Sequence, residues 1–274
     1  MKFKSIFILL NVTLFLFLII LVLLPFFMLG ASFMGFFWQL NWLFILILLM
    51  LITGFNVFYF INRQLFSLLE KEDWPALIRH LESRVIQKGR YSPQLVRLLA
   101  NTYLVLSDSA AVMSFENKVA IIKPALLQAN MLVFGTARIL GGDISGAIRF
   151  FQTRKAAAKR EQKDWVCWYY AFALLLDRRF EDAAGEFSLL SAMSNDGIIA
   201  GLSSYFLAEN IARSLPQKQQ EFTGTAEQGR ERVLKTLPRQ KDWQREVSRL
   251  STEIHAAVLA KYMAETAHWL YTKQ

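Results

Sequence analysis

The side chains that most often do chemistry are sparse and scattered in this chain. The three histidines, His80, His255 and His268, stand far apart, and none belongs to an HExxH-type pattern that would hold zinc on a helix. The single cysteine, Cys167, sits among Trp165, Trp168, Tyr169 and Tyr170, which reads as a buried structural thiol. Without a second cysteine there is no internal disulfide, in agreement with a cytoplasmic setting. Gly141-Gly142-Asp143 with Gly146 has the glycines of a phosphate loop but not the Lys-Ser/Thr that must follow them, and Thr223-Gly224-Thr225 is equally bare. Asp143, Asp164 and Asp182 fall near expected helix starts, where capping and the helix dipole account for them. Asp177 instead ends a helix, beside Arg178 and Arg179. No acid–base cluster emerges, so the expectation is a non-enzyme without metal or cofactor.

Binding chemistry is what remains. Trp165, Trp168 and Phe172 stand at i, i+3 and i+7 and share one face of a helix. Such a stripe either fills a core or holds an apolar segment of a partner, and the residues alone leave both readings open. Basic residues gather at Arg154, Lys155, Lys159, Arg160 and Lys163, and again between Arg230 and Arg249. They suit either an anionic membrane surface or solvated helix faces interleaved with acids, the second being the simpler reading. A nucleic-acid partner is not expected, because no reader motif accompanies the charge.

The elements that must position these residues begin with an uncharged stretch. After Lys2 and Lys4 no charged residue occurs until Arg63, and two apolar blocks, 6–29 and 40–61, fill the interval. Each exceeds the ~18–20 residues a helix needs to cross hydrocarbon. Residues 1–61 therefore read as a transmembrane helical hairpin turning within 30–39, where Gly30, Ser32, Gly35 and Gln39 fall. Trp38, Trp42 and Tyr59 take interfacial positions. Lys2 and Lys4 before the first span, Arg63 and Lys71 after the second, and an uncharged loop between place both termini and the following domain in the cytoplasm. The competing reading, a signal peptide cleaved near Leu29-Gly30-Ala31-Ser32, fits less well. Its apolar core would exceed the usual ~7–15 residues, and a second span follows at once. The net charge is +9, of which the hairpin's two lysines carry +2 and the rest of the chain +7.

From residue 62 onward apolar residues recur at helical spacing, with no convincing alternation for strands. Helices are expected over 65–69, 74–87, 93–106, 110–122, 124–140, 144–162, 164–178, 180–191, 196–214 and 226–236, with one long final helix over 242–271. A mobile loop is expected at 216–224. The final helix carries Trp243, Val247, Leu250, Ile254, Ala257 and Val258 on one stripe. The resulting organisation is a hairpin over 1–61, a linker and capping helix over 62–92, helical repeats over 93–214, and the loop and C-terminal helices over 215–274.

The repeats superimpose without gaps. Ala100, Gly135 and Ala171 occupy one small-residue slot at spacings of 35 and 36. Twelve residues later stand Val112, Ala147 and Ala183, and four beyond those Glu116, Phe151 and Phe187. A small residue on the first helix lets the second cross closely, and the aromatic fills the groove. This pattern, most complete in Ala171, Phe180, Ala183 and Phe187 and next in Phe134, Gly135, Ala147 and Phe151, resembles the tetratricopeptide (TPR) repeat family over 93–197. The usual Trp is replaced by Val96, Met131 and Cys167, and Arg138 stands where an aromatic is usual. The layout of two spans followed by repeats is similar to HemY-type bacterial membrane proteins, without a motif that carries a heme-pathway role.

The resemblance implies an all-α fold, a membrane hairpin followed by an α-solenoid. Its concave face, lined by the first helix of each pair, would carry Arg97, Asn101, Leu132, Thr136, Trp165, Trp168 and Phe172 as partner-binding residues. Arg97 and Asn101 match two positions of a peptide-carboxylate clamp, but Val133, Trp165 and Tyr169 leave it incomplete. The function expected is that of a multi-pass protein of a bacterial inner membrane, an adaptor binding a protein partner at the cytoplasmic surface. The alternatives are a structural subunit of a membrane complex and, behind it, an enzyme on a helical scaffold.

Overall fold

The computed structural model describes residues 3–251 and 253–272. Lys2 lies outside them, as do the side chains of residues 29 and 31–34. Among the described residues every regular element is helical. The chain divides into two compact units, Met1–Leu81 and Glu82–Gln274.

The first unit holds α1 (Phe3–Leu29), α2 (Ala31–Glu70) and all but the last residue of α3 (Trp74–Glu82). Both α1 and α2 are long and apolar enough to cross a membrane, and neither buries that apolar stretch inside the protein. At ~1.5 Å per residue they measure ~40 and ~60 Å, against a hydrocarbon core of ~30 Å. They pack antiparallel. Phe3 stacks near Phe66 with ring centroids 5.4 Å apart, and Phe7 on Tyr59 at 3.7 Å. Asn56 donates to Asn11 Oδ1 at 2.8 Å. The turn expected over 30–39 shrinks to Gly30, whose φ of +78° a residue with a Cβ would adopt only under strain. The second helix does not stop at 61 but absorbs the separate helix expected at 65–69.

Glu72, with φ +54°, ends this run. Asp73 donates its N–H back to Leu68 O, and its side chain accepts from Ala76 N at the start of α3. The same left-handed residue recurs at Ser107, Gly142 and Arg178, with φ of +57°, +78° and +61°. The next N–H again reaches back five residues, from Asp108 to Tyr103 O, Asp143 to Arg138 O and Arg179 to Leu174 O. One backbone turn thus repeats every 35 or 36 residues.

In the second unit a wider π turn, Ser83–Gln87, precedes α4 (Pro93–Val105), α5 (Ser109–Ile122), α6 (Ala125–Ala129) and α7 (Met131–Leu140). Then come α8 (Ile144–Arg154), α9 (Arg160–Leu176), α10 (Phe180–Met193) and α11 (Gly197–Phe206). In the run from α7 to α11 each helix packs on the one before it, and α4 and α9 both pack on α7. The small slot residues Ala100, Gly135 and Ala171 are buried. A Cβ on Gly135 would stand 2.1 Å from Phe151 Cζ, so glycine is what admits that ring. Where the pattern lacks its aromatics, an ion pair replaces them: Arg138 Nη2 lies 2.7 Å from the buried Glu116 carboxylate.

Several expected boundaries move. The helix expected over 124–140 breaks at Asn130, whose buried side chain donates to Leu126 O and competes with the backbone ladder. The one expected over 144–162 ends at Arg154 despite three alanines, because Lys155 pairs with Glu186 and Gln128 bonds Ala157 O, holding the chain open there. After α11 come a π turn Leu207–Ile211, α12 (Ala212–Ser214), a 3-10 turn Pro216–Lys218 and α13 (Gln219–Thr236). The loop expected at 216–224 is therefore mostly helix: Pro216 opens a helical turn, where its missing N–H costs nothing.

The long C-terminal helix is instead three: α14 (Gln240–Leu250), α15 (Ile254–Ala257) and α16 (Ala260–Thr272). The breaks let α16 fold back beside α14, and Trp243 Nε1 donates to Met263 O at 3.2 Å. The single stripe dissolves accordingly. Trp243 is buried, but Ala257 and Val258 are exposed, and His255, Ala256 and Leu259 turn inward.

Candidate functional site

The residues expected on the inner face separate into two groups. Trp168 is fully buried, stacked on Phe172 at 5.2 Å and edge-on to Phe206 at 5.6 Å. Phe172 in turn meets Tyr262 of α16 at 5.8 Å. These two rings are core, sealed by α11 and α16, and present no groove to a partner. Thr136 is buried too, and Asn101 Oδ1 is buried without a hydrogen-bond partner among the described residues.

Arg97, Leu132 and Trp165 do come together. With Asn130, Val133, Gln162, Glu253 and His255 they line a cleft of about 160 Å³ between α4, α7, α9 and the start of α15. Arg97 Nε donates to Asn130 Oδ1 at 3.4 Å, and its Nη1 lies 3.6 Å from the Glu253 carboxylate. The His255 ring stands edge-on to Trp165 at 5.3 Å, and its carbonyl accepts from the Tyr169 hydroxyl at 2.6 Å. Trp165 also borders a wider cleft of about 880 Å³, together with Arg160, Asp164, Asp196, Leu237 and Leu250.

The electrostatics follow from burial. The pKa of His255 is lowered to about 4, first by desolvation and then by Arg97, so the ring is neutral at physiological pH. Among the described residues its Nε2 and the Gln162 Oε1 have no hydrogen-bond partner. Tyr169, wholly buried, is pushed upward and stays a neutral donor. Burial also raises Cys167, which suits an inert thiol. Asp196 caps α11 through Ile198 N and Ile199 N, yet burial holds its pKa above the ordinary carboxylate value. Among the described residues no three His, Cys, Asp or Glu side chains gather as a metal ligand set.

Much of the basic charge is spent on structure. Arg154 lies over the Phe150 ring at 3.9 Å, Arg230 donates to Leu270 O, Arg232 to Ser191 O, and Arg239 pairs with Asp242. Of the first cluster, Lys159, Arg160 and Lys163 remain exposed.

Sequence reasoning did not single out Asn130, Gln162, Glu253 or His255 as members of one site. Asn130 carried a signal, a polar residue inside an apolar run. Glu253 and His255 carried none, since the segment reads as continuous helix. In the hairpin, Asn11 and Asn56 were the corresponding signal, amides within apolar spans.

Fold and cleft together define an all-helical protein with two candidate membrane helices and a domain whose turns repeat. More specifically, the chain belongs to the family described as "Uncharacterised Treponema protein", whose model matches residues 111–272. A protein of Treponema pallidum (strain Nichols), itself described as an uncharacterized protein, is 34% identical over 173 residues. That match covers 63% of this chain and 55% of the relative, so the chain spans about half the length of that relative. The family match takes in Leu132, Trp165, Glu253 and His255 and stops short of Arg97 and the two apolar helices.

Proposed function

We propose that the protein is a membrane-anchored adaptor. α1 and α2 span a bacterial inner membrane with both termini in the cytoplasm, and the helical domain, built from TPR-like repeats, binds a protein partner at the membrane surface. The observation that carries the reading is the inner face of α4, α7 and α9. There Arg97, Leu132 and Trp165 line one cleft, with Arg97 facing the Glu253 carboxylate and Trp165 the His255 ring. The recurrent turn at Ser107, Gly142 and Arg178 supports the repeat architecture, and the exposed apolar surface of α1 and α2 supports the anchor. Confinement to a surface raises the effective concentration of partner encounters, which is the service an anchored adaptor performs.

A second reading, a structural subunit of a membrane complex, is favoured by the sealing of Trp168 and Phe172 under the chain's own helices. In-cell photocrosslinking separates the two. A photoreactive residue at Arg97, which is 40% exposed in its side chain, is compared with one at exposed Lys118. A discrete protein captured at Arg97 and absent at Lys118 is the expected result. Crosslinks at Arg97 that reach only residues 250–263 would sink the adaptor reading.

A further inference from the structure

The end of the hairpin where α1 starts and α2 finishes is not closed by packing. Phe3 lies beside Phe66 and Phe7 on Tyr59, so the first turns of α1 run alongside residues 59–66 of α2. Around these rings the two helices leave a cleft of about 870 Å³, within the ~300–1,000 Å³ of small-ligand sites.

The rim of this cleft is basic. Arg63, Ser67 and Lys71 stand at i, i+4 and i+8 on one face of α2 and its C-cap, and Lys4 lines the cleft from α1. Among the described residues Glu70 is the one acid on the cleft, and none of the three cations is held in an ion pair. In the second unit Arg154, Arg230, Arg232 and Arg239 are by contrast spent on the protein's own rings, carbonyls and acids. Cations gathered without a partner repel one another, and an anion placed among them relieves that repulsion. The first-turn N–H groups of α1, which have no carbonyl within the helix to bind, add partial positive charge at the same end.

The deeper wall is apolar. Phe7 and Tyr59 line it, and Ile8 and Phe60, 50% and 62% exposed, carry the lining out onto the lipid-facing surface of the two helices. From Phe60 to Arg63 the lining passes from apolar to charged within one helical turn, a rise of ~4.5 Å. A phospholipid passes from acyl chain to phosphate over a comparably short distance. Basic residues that served only to orient the hairpin would need no common cleft and no apolar path leading out of it.

We propose, on the footing of the membrane anchor put forward above, that this cleft binds an anionic phospholipid. Arg63, Lys71 and Lys4 hold the phosphate oxygens by charge-assisted hydrogen bonds, Gln64 and Ser67 reach the polar headgroup, and an acyl chain descends past Phe60 and Ile8. The hairpin thus selects the lipid beside it as well as spanning the bilayer.

The test is native mass spectrometry of the full chain released from detergent micelles. It is titrated with phosphatidylglycerol, which is anionic, or phosphatidylcholine, which is zwitterionic. One phosphatidylglycerol should bind about tenfold tighter or more than phosphatidylcholine. Combining Arg63→Gln with Lys71→Gln should weaken it about 25-fold, at about fivefold per charge, and Glu70→Gln should strengthen it about fivefold. Lys118→Gln, at an exposed position of the second unit, should change nothing. Equal affinity for the two lipids, or a double variant that binds like the wild type, overturns the proposal. Inorganic phosphate or glycerol 3-phosphate bound as tightly as the lipid would make the cleft a site for a free anion and overturn it too. Should the double variant fail to fold, the wild type decides. Raising ammonium acetate from about 0.05 to about 0.5 M must weaken phosphatidylglycerol and spare phosphatidylcholine, and indifference to salt overturns the assignment.

Alkaline carbonate extraction of membranes separates this failure from that of the anchor. A chain kept in the membrane pellet without lipid preference leaves the anchor standing and removes the site. A chain released to the supernatant removes both.

Discussion

Replacing Gly135 with alanine tests whether the small slot is what lets neighbouring helices meet. The added Cβ would stand 2.1 Å from Phe151 Cζ and 2.5 Å from Cε1, where carbon atoms ordinarily rest at ~3.5–4.0 Å. The ring has little freedom to retreat. It is fully buried, stacked on Tyr169 with centroids 5.7 Å apart, and perpendicular to Phe150 at 5.6 Å. Overpacking of this kind costs ~1–3 kcal/mol, and the boxed ring argues for the upper end. Alanine is the better helix former by ~1 kcal/mol, which works in the opposite direction. The expected net loss is therefore about 2 kcal/mol, read by urea unfolding of the full chain in detergent with tryptophan fluorescence. Phe151→Leu alone should also destabilise, by leaving a void, while the double variant recovers part of the loss. A coupling of about 1 kcal/mol or more is expected from the cycle. Gly135→Ala as stable as the wild type, or two effects that simply add, would refute close packing at the slot.

Arg138→Met should destabilise by about 3–5 kcal/mol, because it strands Glu116 as a buried carboxylate that desolvation already disfavours. Adding Glu116→Met should restore much of that loss, and the same unfolding assay reads both; a single variant that is neutral would refute a structural pair. His255 predicts an acid-sensitive fold. With its pKa lowered to about 4 from an ordinary 6.5, the unfolded chain takes up a proton that the folded chain refuses between those values. The stability it contributes is thus complete above about pH 6.5 and is lost as pH falls toward 4, by up to about 3 kcal/mol. Unfolding profiles from about pH 7.5 to 4 should be steeper for the wild type than for His255→Gln, and equal slopes would mean that the ring is not held neutral.

The helical periodicity was legible, and so was the burial of the small residues Ala100, Gly135 and Ala171, because it follows from contacts that lie close in sequence. Gly135 meets Phe151 only sixteen residues away. The departures from the pattern were legible one at a time but not as a pair. Glu116 and Arg138 each looked like a defect, and only their 2.7 Å contact shows that one answers the other. The candidate site was half legible. Arg97, Leu132 and Trp165 follow from repeat register, whereas Glu253 and His255 arrive from more than eighty residues beyond Trp165.

Local chemistry explains why the sequence by itself determined the two apolar helices, the helical class and the break between residues 140 and 144. Hydropathy, helical period and short-range packing are all written within a few tens of residues. Tertiary structure alone decided that the aromatic stripe divides, with Trp168 and Phe172 entering the core and Trp165 bordering a cleft. It also decided that the C-terminal run stops at Leu250 and resumes at Ile254 rather than continuing as one helix. Both outcomes depend on what α11 and α16 cover and on which side chains wait on α4 and α9. An amphipathic stripe records that a face must be buried; it does not record which distant segment will bury it.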